Sequence, residues 1–267
     1  MKEFFGFGGY ERPVEGYLSW QHILFISTFM VLMVTLAYIV GTRRRSLDER
    51  AKNKVLAVAA IVIDSLEIFR IILVSVRSQD PMKWVYLLPL FLCSIQLITI
   101  PLAAFSRGRI KEAALDFVFI FGILGAVLGT YGAGNDFSCY PILSYDIIHT
   151  TLTHTISGFC SLYIFFSGMI SMKRRNIPIT FSIVSAFCIV SYIVNLIIDY
   201  NYMFLMRGDG TPYDIILDIC GGSPVIYPIV VVLLFFLYIT VFYSVYYLIR
   251  NKAAKKKAPA VKEGENQ

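Results

Sequence analysis

Charge is what this sequence has least of. Only 16% of its 267 residues are charged, against ~25% in an ordinary soluble globular chain, while 57% are hydrophobic. That balance excludes a typical water-soluble domain. Cysteine is also sparse: there are five, with no Cys-x-x-Cys pair, so neither a zinc ribbon nor a dithiol redox motif is present and no metal or cofactor is indicated. The chain has no Gly-x-Ser-x-Gly, His-Glu-x-x-His, Walker or Gly-x-Gly-x-x-Gly element in a suitable context, which removes the common hydrolase, metalloprotease and nucleotide-binding signatures. The first residues, with Glu3, Glu11, Arg12 and Glu15, lack a basic start followed by a cleavage site. The first apolar run therefore reads as an uncleaved insertion signal.

What the chain does have is seven long apolar runs, at 18–40, 55–76, 84–105, 113–133, 146–170, 179–200 and 224–249. Each is about as long as the ~20 residues a helix needs to cross the hydrocarbon core, and lipid offers an open strand or loop no hydrogen-bond partner. The expectation is an all-α, polytopic bundle of seven transmembrane helices in the cell membrane. It comprises an N-terminal segment 1–17, a membrane domain 18–249 and a basic tail 250–267. Lysine and arginine concentrate in the loops at 41–54, 106–112 and 171–178 and in the tail, and are scarce in the alternate loops. Positive loops stay cytoplasmic, so the N-terminus is expected outside and the C-terminus inside. The net charge of +6 then reflects topology and attraction to anionic lipid, not nucleic-acid binding.

Polar residues inside apolar runs are costly and mark sites. The second run holds Asp64, Glu67 and Arg70 within one ~120° arc of a helix, with Glu67 and Arg70 spaced to pair. His22 lies in the first run, Cys93 and Gln96 in the third, His154 in the fifth, and Asn195 and Asp199 in the sixth. At ~1.5 Å rise per residue, Cys93, His154 and Glu67 fall ~13, ~12 and ~15 Å below the outer ends of their runs. They share a depth, which predicts a polar cavity in the outer half of the membrane. His149 points ~140° away from His154 and is the weaker member of that pair. The polar loop 201–223, opening with Asn201 and Tyr202, is expected to cap this cavity. Cys160 and Cys188 read as packing residues. Cys139 and Cys220 both fall in outer loops, where pairing is geometrically conceivable but is not established by spacing.

Two chemistries fit such a cavity. A thiol beside an imidazole can lose its proton and attack an ester carbonyl, making Cys93 a nucleophile and His154 its base, with Glu67 or Asn195 as the group that orients the ring. Alternatively, Glu67, Arg70, Asn195 and Asp199 could hold a polar solute in a transporter, although the sequence shows no duplicated half and no paired broken helices of the kind many carriers have.

The stretches LPLFLC (Leu88–Cys93), SWQH ending at His22, LTHTISG around His154, NYMFLMRGDGTP (Asn201–Pro212) and the Leu217-Asp218 pair before Gly-Gly-Ser-Pro resemble the signatures of YwaF-type bacterial integral membrane proteins. The likeness runs through most of 18–249. That family is similar to eukaryotic transmembrane acyltransferases acting on ether phospholipids. The resemblance implies Cys93 as nucleophile, His154 as base, and membrane phospholipid or lysolipid as substrate. The chain departs from the pattern at Phe91, where the family has a histidine, at Gly132-Ala133-Gly134 in place of Thr-Pro, and at Gly222-Ser223-Pro224-Val225, which lacks a tryptophan.

Overall fold

The structure is a computed structural model that describes the backbone of residues 1–264 and side chains through residue 253. The tail lysines Lys255, Lys256, Lys257 and Lys262 lie outside the described side chains. Nine α-helices are present among the described residues: α1 Trp20–Arg44, α2 Glu49–Ser78, α3 Gln96–Phe105, α4 Gly108–Tyr131, α5 Gly134–Cys139, α6 Tyr145–Phe166, α7 Ile177–Ile198, α8 Tyr213–Ile219 and α9 Ile226–Gly264. No strand occurs among them. Local chemistry sets several starts: the side chains of Ser19, Asp48 and Ser144 cap α1, α2 and α6 by accepting first-turn amides, and Pro178 occupies the first turn of α7, where its missing N–H costs nothing.

By length and composition alone, α1, α4, α7 and α9 suffice to cross a membrane. In α4, 61% of the apolar window is buried, against 17–22% in the other three, so α4 is the hub and the others turn one flank to the surroundings. Val31 and Leu36 of α1, Ile193 and Ile197 of α7, and Leu233 and Leu237 of α9 are among the exposed apolar side chains, an arrangement suited to lipid rather than water.

The tightest seam joins α4 to α6. Gly122, Gly125 and Gly129 form a small-residue ridge along α4 that lets the backbones approach. A Cβ at Gly122 would sit 2.5 Å from the Ser157 main-chain oxygen, and one at Gly129 would overlap the His154 ring. Opposite this seam, Asp116 is fully buried yet satisfied, accepting from Met172 N (2.6 Å) and Asn176 Nδ2 (2.8 Å).

The third apolar run departs from expectation. It does not form one span-length helix: a one-turn 3-10 helix at Lys83–Leu87 gives way to irregular backbone at 88–95 before the ten-residue α3 begins. Pro89 is the cause. The residue before a proline is driven out of helical space, and Leu88 is extended at φ −61°, ψ 147°. The freed backbone groups are met by side chains from elsewhere, as irregular backbone within an apolar bundle requires. Tyr202 Oη accepts from Leu88 N (3.0 Å) and donates to Val85 O (2.7 Å), while Ser191 Oγ donates to Leu90 O (3.0 Å).

Residues 1–17 are clipped onto one end of the bundle. Arg77 at the end of α2 donates two hydrogen bonds to Asp146 at the start of α6 (2.7 and 3.0 Å) and a third to Phe5 O (3.1 Å). Tyr10 Oη donates to the same carboxylate. Burial, then the hydrogen bond to Asp146 and its charge, raise the Tyr10 phenol above its usual range, so it remains a donor.

Candidate functional site

The break in the third segment creates the site. Irregular backbone at 91–95 carries Cys93 and Ser94 to a small chamber of about 40 Å³ whose remaining wall comes from Ile63 and Glu67 of α2, Leu97 of α3, and Thr153, His154 and Ser157 of α6. That volume accommodates a water molecule or two and not a fatty chain. Cys93 and His154 both line it, and both rest on the glycine ridge of α4. A Cβ at Gly125 would meet the Cys93 Cβ at 3.6 Å, and Gly129 leaves room for the far edge of the imidazole.

The ring's tautomer follows from its neighbours. His154 Nδ1 is 2.8 Å from the Thr150 carbonyl oxygen, which can only accept, so Nδ1 carries the proton and neutral His154 keeps its lone pair on Nε2. A main-chain carbonyl, and neither Glu67 nor Asn195, therefore orients this ring. The second polar group beside the sulfur is Ser94 Oγ, at 4.0 Å.

Glu67 is shared. Its Oε1 accepts from Arg70 Nη1 at 2.9 Å, and its Oε2 lies 3.3 Å from Nε2 of the buried His149, an ion-pair distance without hydrogen-bond direction. His149, set aside in the sequence because of its angle from His154, thus reaches the same carboxylate from another side of α6.

The other sequence-derived residues lie elsewhere. His22 of α1 is fully buried against α4 and α5: Nδ1 accepts from Leu18 N (3.0 Å), Nε2 faces Thr130 O (3.4 Å), and the ring packs at a tilt on Phe137 with centroids 3.9 Å apart. Both nitrogens are spent, and the residue is a strap. Gln96 is buried and accepts from Thr99 Oγ1 (3.2 Å). Asn195 clamps the backbone of Tyr202 on both sides, accepting from its N (2.7 Å) and donating to its O (3.0 Å). Asn201 accepts from Met206 N (2.9 Å) and donates to Arg207 O (2.7 Å). Asp199 caps α7 in a left-handed conformation with its side chain fully exposed, so it does not share a polar face with Asn195. These clamps hold Met203 and Phe204 at φ 57° and 56°, a left-handed pair that costs non-glycine residues of order 1–3 kcal/mol each. The strained turn presents Tyr202 to the broken segment. The motif around Asn201 props the break open and does not line the chamber.

All five cysteines are unpaired, and Cys188 packs its sulfur 3.6 Å from that of Met203. Polar chamber-lining positions not singled out in the sequence are Ser94, Thr153 and Ser157, and Gly125 and Gly129 lie against Cys93 and His154. A Gly-x-x-Gly-x-x-x-Gly spacing in an apolar run was the available signal for the last.

A family model described as the TMEM164 family matches residues 17–251. The chain belongs to the TMEM164 family. It is an integral membrane protein of that family, and the match extends over all the helices that build the chamber. No curated protein and no solved structure matches it.

Proposed function

We propose that this TMEM164-family member is a cell-membrane acyltransferase or lipid esterase that uses Cys93 as nucleophile and His154 as base, in line with its likeness to YwaF-type proteins and to ether-phospholipid acyltransferases. The supporting observation is a thiol and an imidazole with a free Nε2 in one small chamber, on a floor of glycines that leaves the ring its place.

The chemistry needs no further group. Nε2 takes the thiol proton, and the thiolate attacks the ester carbonyl of a phospholipid. The tetrahedral intermediate collapses, the C–O bond breaks, and the departing alkoxide receives the proton from the imidazolium. The acyl chain is now a thioester on Cys93. A lysolipid hydroxyl, or water in an esterase, then gives its proton to Nε2 and attacks the thioester, releasing the thiolate to be reprotonated. Because the chamber holds only small groups, the ester alone enters and the chains lie along the apolar flank near Ile63 and Leu97.

In this reading all seven apolar segments cross the bilayer, the third in broken form, with residues 1–17 outside and the tail inside. The loop after α7 closes the outer end: Met203 and Leu205 are buried, and Asn135 of the α5 turn donates to Asp209 O (3.1 Å).

A carrier is the second reading. The broken third segment favours it, since interrupted helices serve many carriers, and the Glu67–Arg70–His149 group would then be the solute site. Acyl transfer is tested by supplying purified protein in lipid with acyl-labelled phospholipid and a lysolipid. Transfer should require both Cys93 and His154, and transfer that survives Cys93→Ala and His154→Ala refutes the assignment. Thermal stabilisation by a polar solute that disappears in Glu67→Gln would instead support the carrier.

A further inference from the structure

Arg70 has more hydrogen-bonding capacity than its surroundings use. It lies one helical turn beyond Glu67 on α2, toward the end of the helix that meets residues 1–17. Of its five N–H donors, the described residues engage one, Nη1, through Glu67 at 2.9 Å. A third of the side chain is exposed (34%).

An arginine on a helix of this apolar bundle is expensive to maintain and marks a ligand or a partner. Glu67 provides a partner, but only one of its oxygens is used by Arg70, the other facing His149. A planar fork with four donors left over matches an oxyanion with several acceptor oxygens, and phosphate is the group for which arginine is best suited. Glu67 itself lines the chamber with Cys93, so the guanidinium is joined to the chamber wall through the carboxylate it pairs with. In a glycerophospholipid the phosphate is a few bonds from the ester carbonyls, so a lipid whose phosphate met Arg70 would carry its esters toward the chamber that Glu67 lines.

We infer that Arg70 binds the phosphodiester of the lipid whose ester is presented to Cys93, and so selects phosphate-bearing lipids over neutral glycerides. The identity of the lipid rests on the acyl-transfer reading; the binding does not.

The experiment therefore measures binding without turnover. Full-length protein carrying Cys93→Ala is mixed in micelles with a short-chain phosphatidylcholine or the matching diacylglycerol, and retained lipid is counted by native mass spectrometry. Arg70→Gln should lower phosphatidylcholine retention at least tenfold and leave diacylglycerol retention unchanged. Arg70→Lys, which keeps the charge and the Glu67 pair, should remain folded by thermal unfolding and fall between the two. Equal loss of both lipids, or loss of neither, overturns the inference. A third arm adds inorganic phosphate: if it displaces the phospholipid at millimolar concentration and binds alone in an Arg70-dependent way, the site is one for free phosphate and the lipid assignment is wrong. Absence of a thioester on Cys93 in the wild-type protein would remove the acyl-transfer reading while leaving these retention ratios as they are.

Discussion

The three glycines of α4 face three different obstacles, and substituting each with alanine separates packing from chemistry. At Gly129 the new methyl would overlap Cδ2 and Nε2 of His154. The obstacle is the tip of a side chain, so the helices can keep their places while the ring swings aside. Gaining alanine in a helix contributes about 1 kcal/mol, and crowding of a packed site costs ~1–3 kcal/mol, so Gly129→Ala should unfold within a few degrees of wild type. Moving a reacting group by an ångström can reduce rate by ~100-fold, and the displaced imidazole should reduce acylation of Cys93 by at least that. At Gly122 the methyl would meet the Ser157 carbonyl at 2.5 Å, which is backbone and cannot turn away. Gly122→Ala should therefore lose ~1–3 kcal/mol by forcing α4 and α6 apart. At Gly125 the nearest atom is the Cys93 Cβ at 3.6 Å, an ordinary contact, and the alanine should be tolerated, with acylation within a few-fold of wild type. Thermal unfolding in detergent and the rate of thioester formation read the two properties separately. If Gly129→Ala acylates at the wild-type rate, the ring does not act from its observed position and the reasoning fails.

Tyr202→Phe removes the hydroxyl that serves both Val85 O and Leu88 N, and stranding these groups should cost ~1–3 kcal/mol; an unchanged unfolding temperature would mean that the break is held by something else. Asn195→Ala deletes both bonds to the Tyr202 backbone and should destabilise at least as much, while exposing the strained turn at Met203 and Phe204 to faster hydrogen exchange. Arg77→Gln breaks the clip to Asp146 and Phe5 O and should speed amide exchange in residues 1–17 and leave the exchange of α4 unaltered. Cys139 is exposed, so a variant retaining only that cysteine should react with a membrane-impermeant maleimide on intact cells; reaction only after permeabilisation would reverse the proposed orientation.

Helix positions are legible because apolar run length and polar punctuation carry them directly: α1, α4 and α7 coincide closely with three of the runs, and α9 starts with the last run but continues past 249 to Gly264, into the segment read as a tail. The break in the third run was visible only as Pro89, and a single proline does not say whether a helix kinks or ends. What decides it is Tyr202 and Ser191, more than a hundred residues later, which supply the partners that make unwinding affordable. Shared depth identified Glu67, Cys93 and His154, which do surround one chamber. Depth alone does not distinguish a cavity wall from a strap, and so it also gathers His22 and Asn195, while the loop reading adds Asn201; the polar atoms of all three serve neighbouring backbone. His149 was discounted on helical angle, because an angle ignores a carboxylate that reaches across from another helix.

The most direct measurement is the mass of the intact protein after incubation with an acyl-labelled phospholipid and no acceptor. The account predicts one hydroxylamine-sensitive acyl adduct, mapped to Cys93, present in wild type and absent in His154→Ala. An adduct on Cys139 or Cys220 instead, or none in a preparation that still transfers acyl chains, would contradict it.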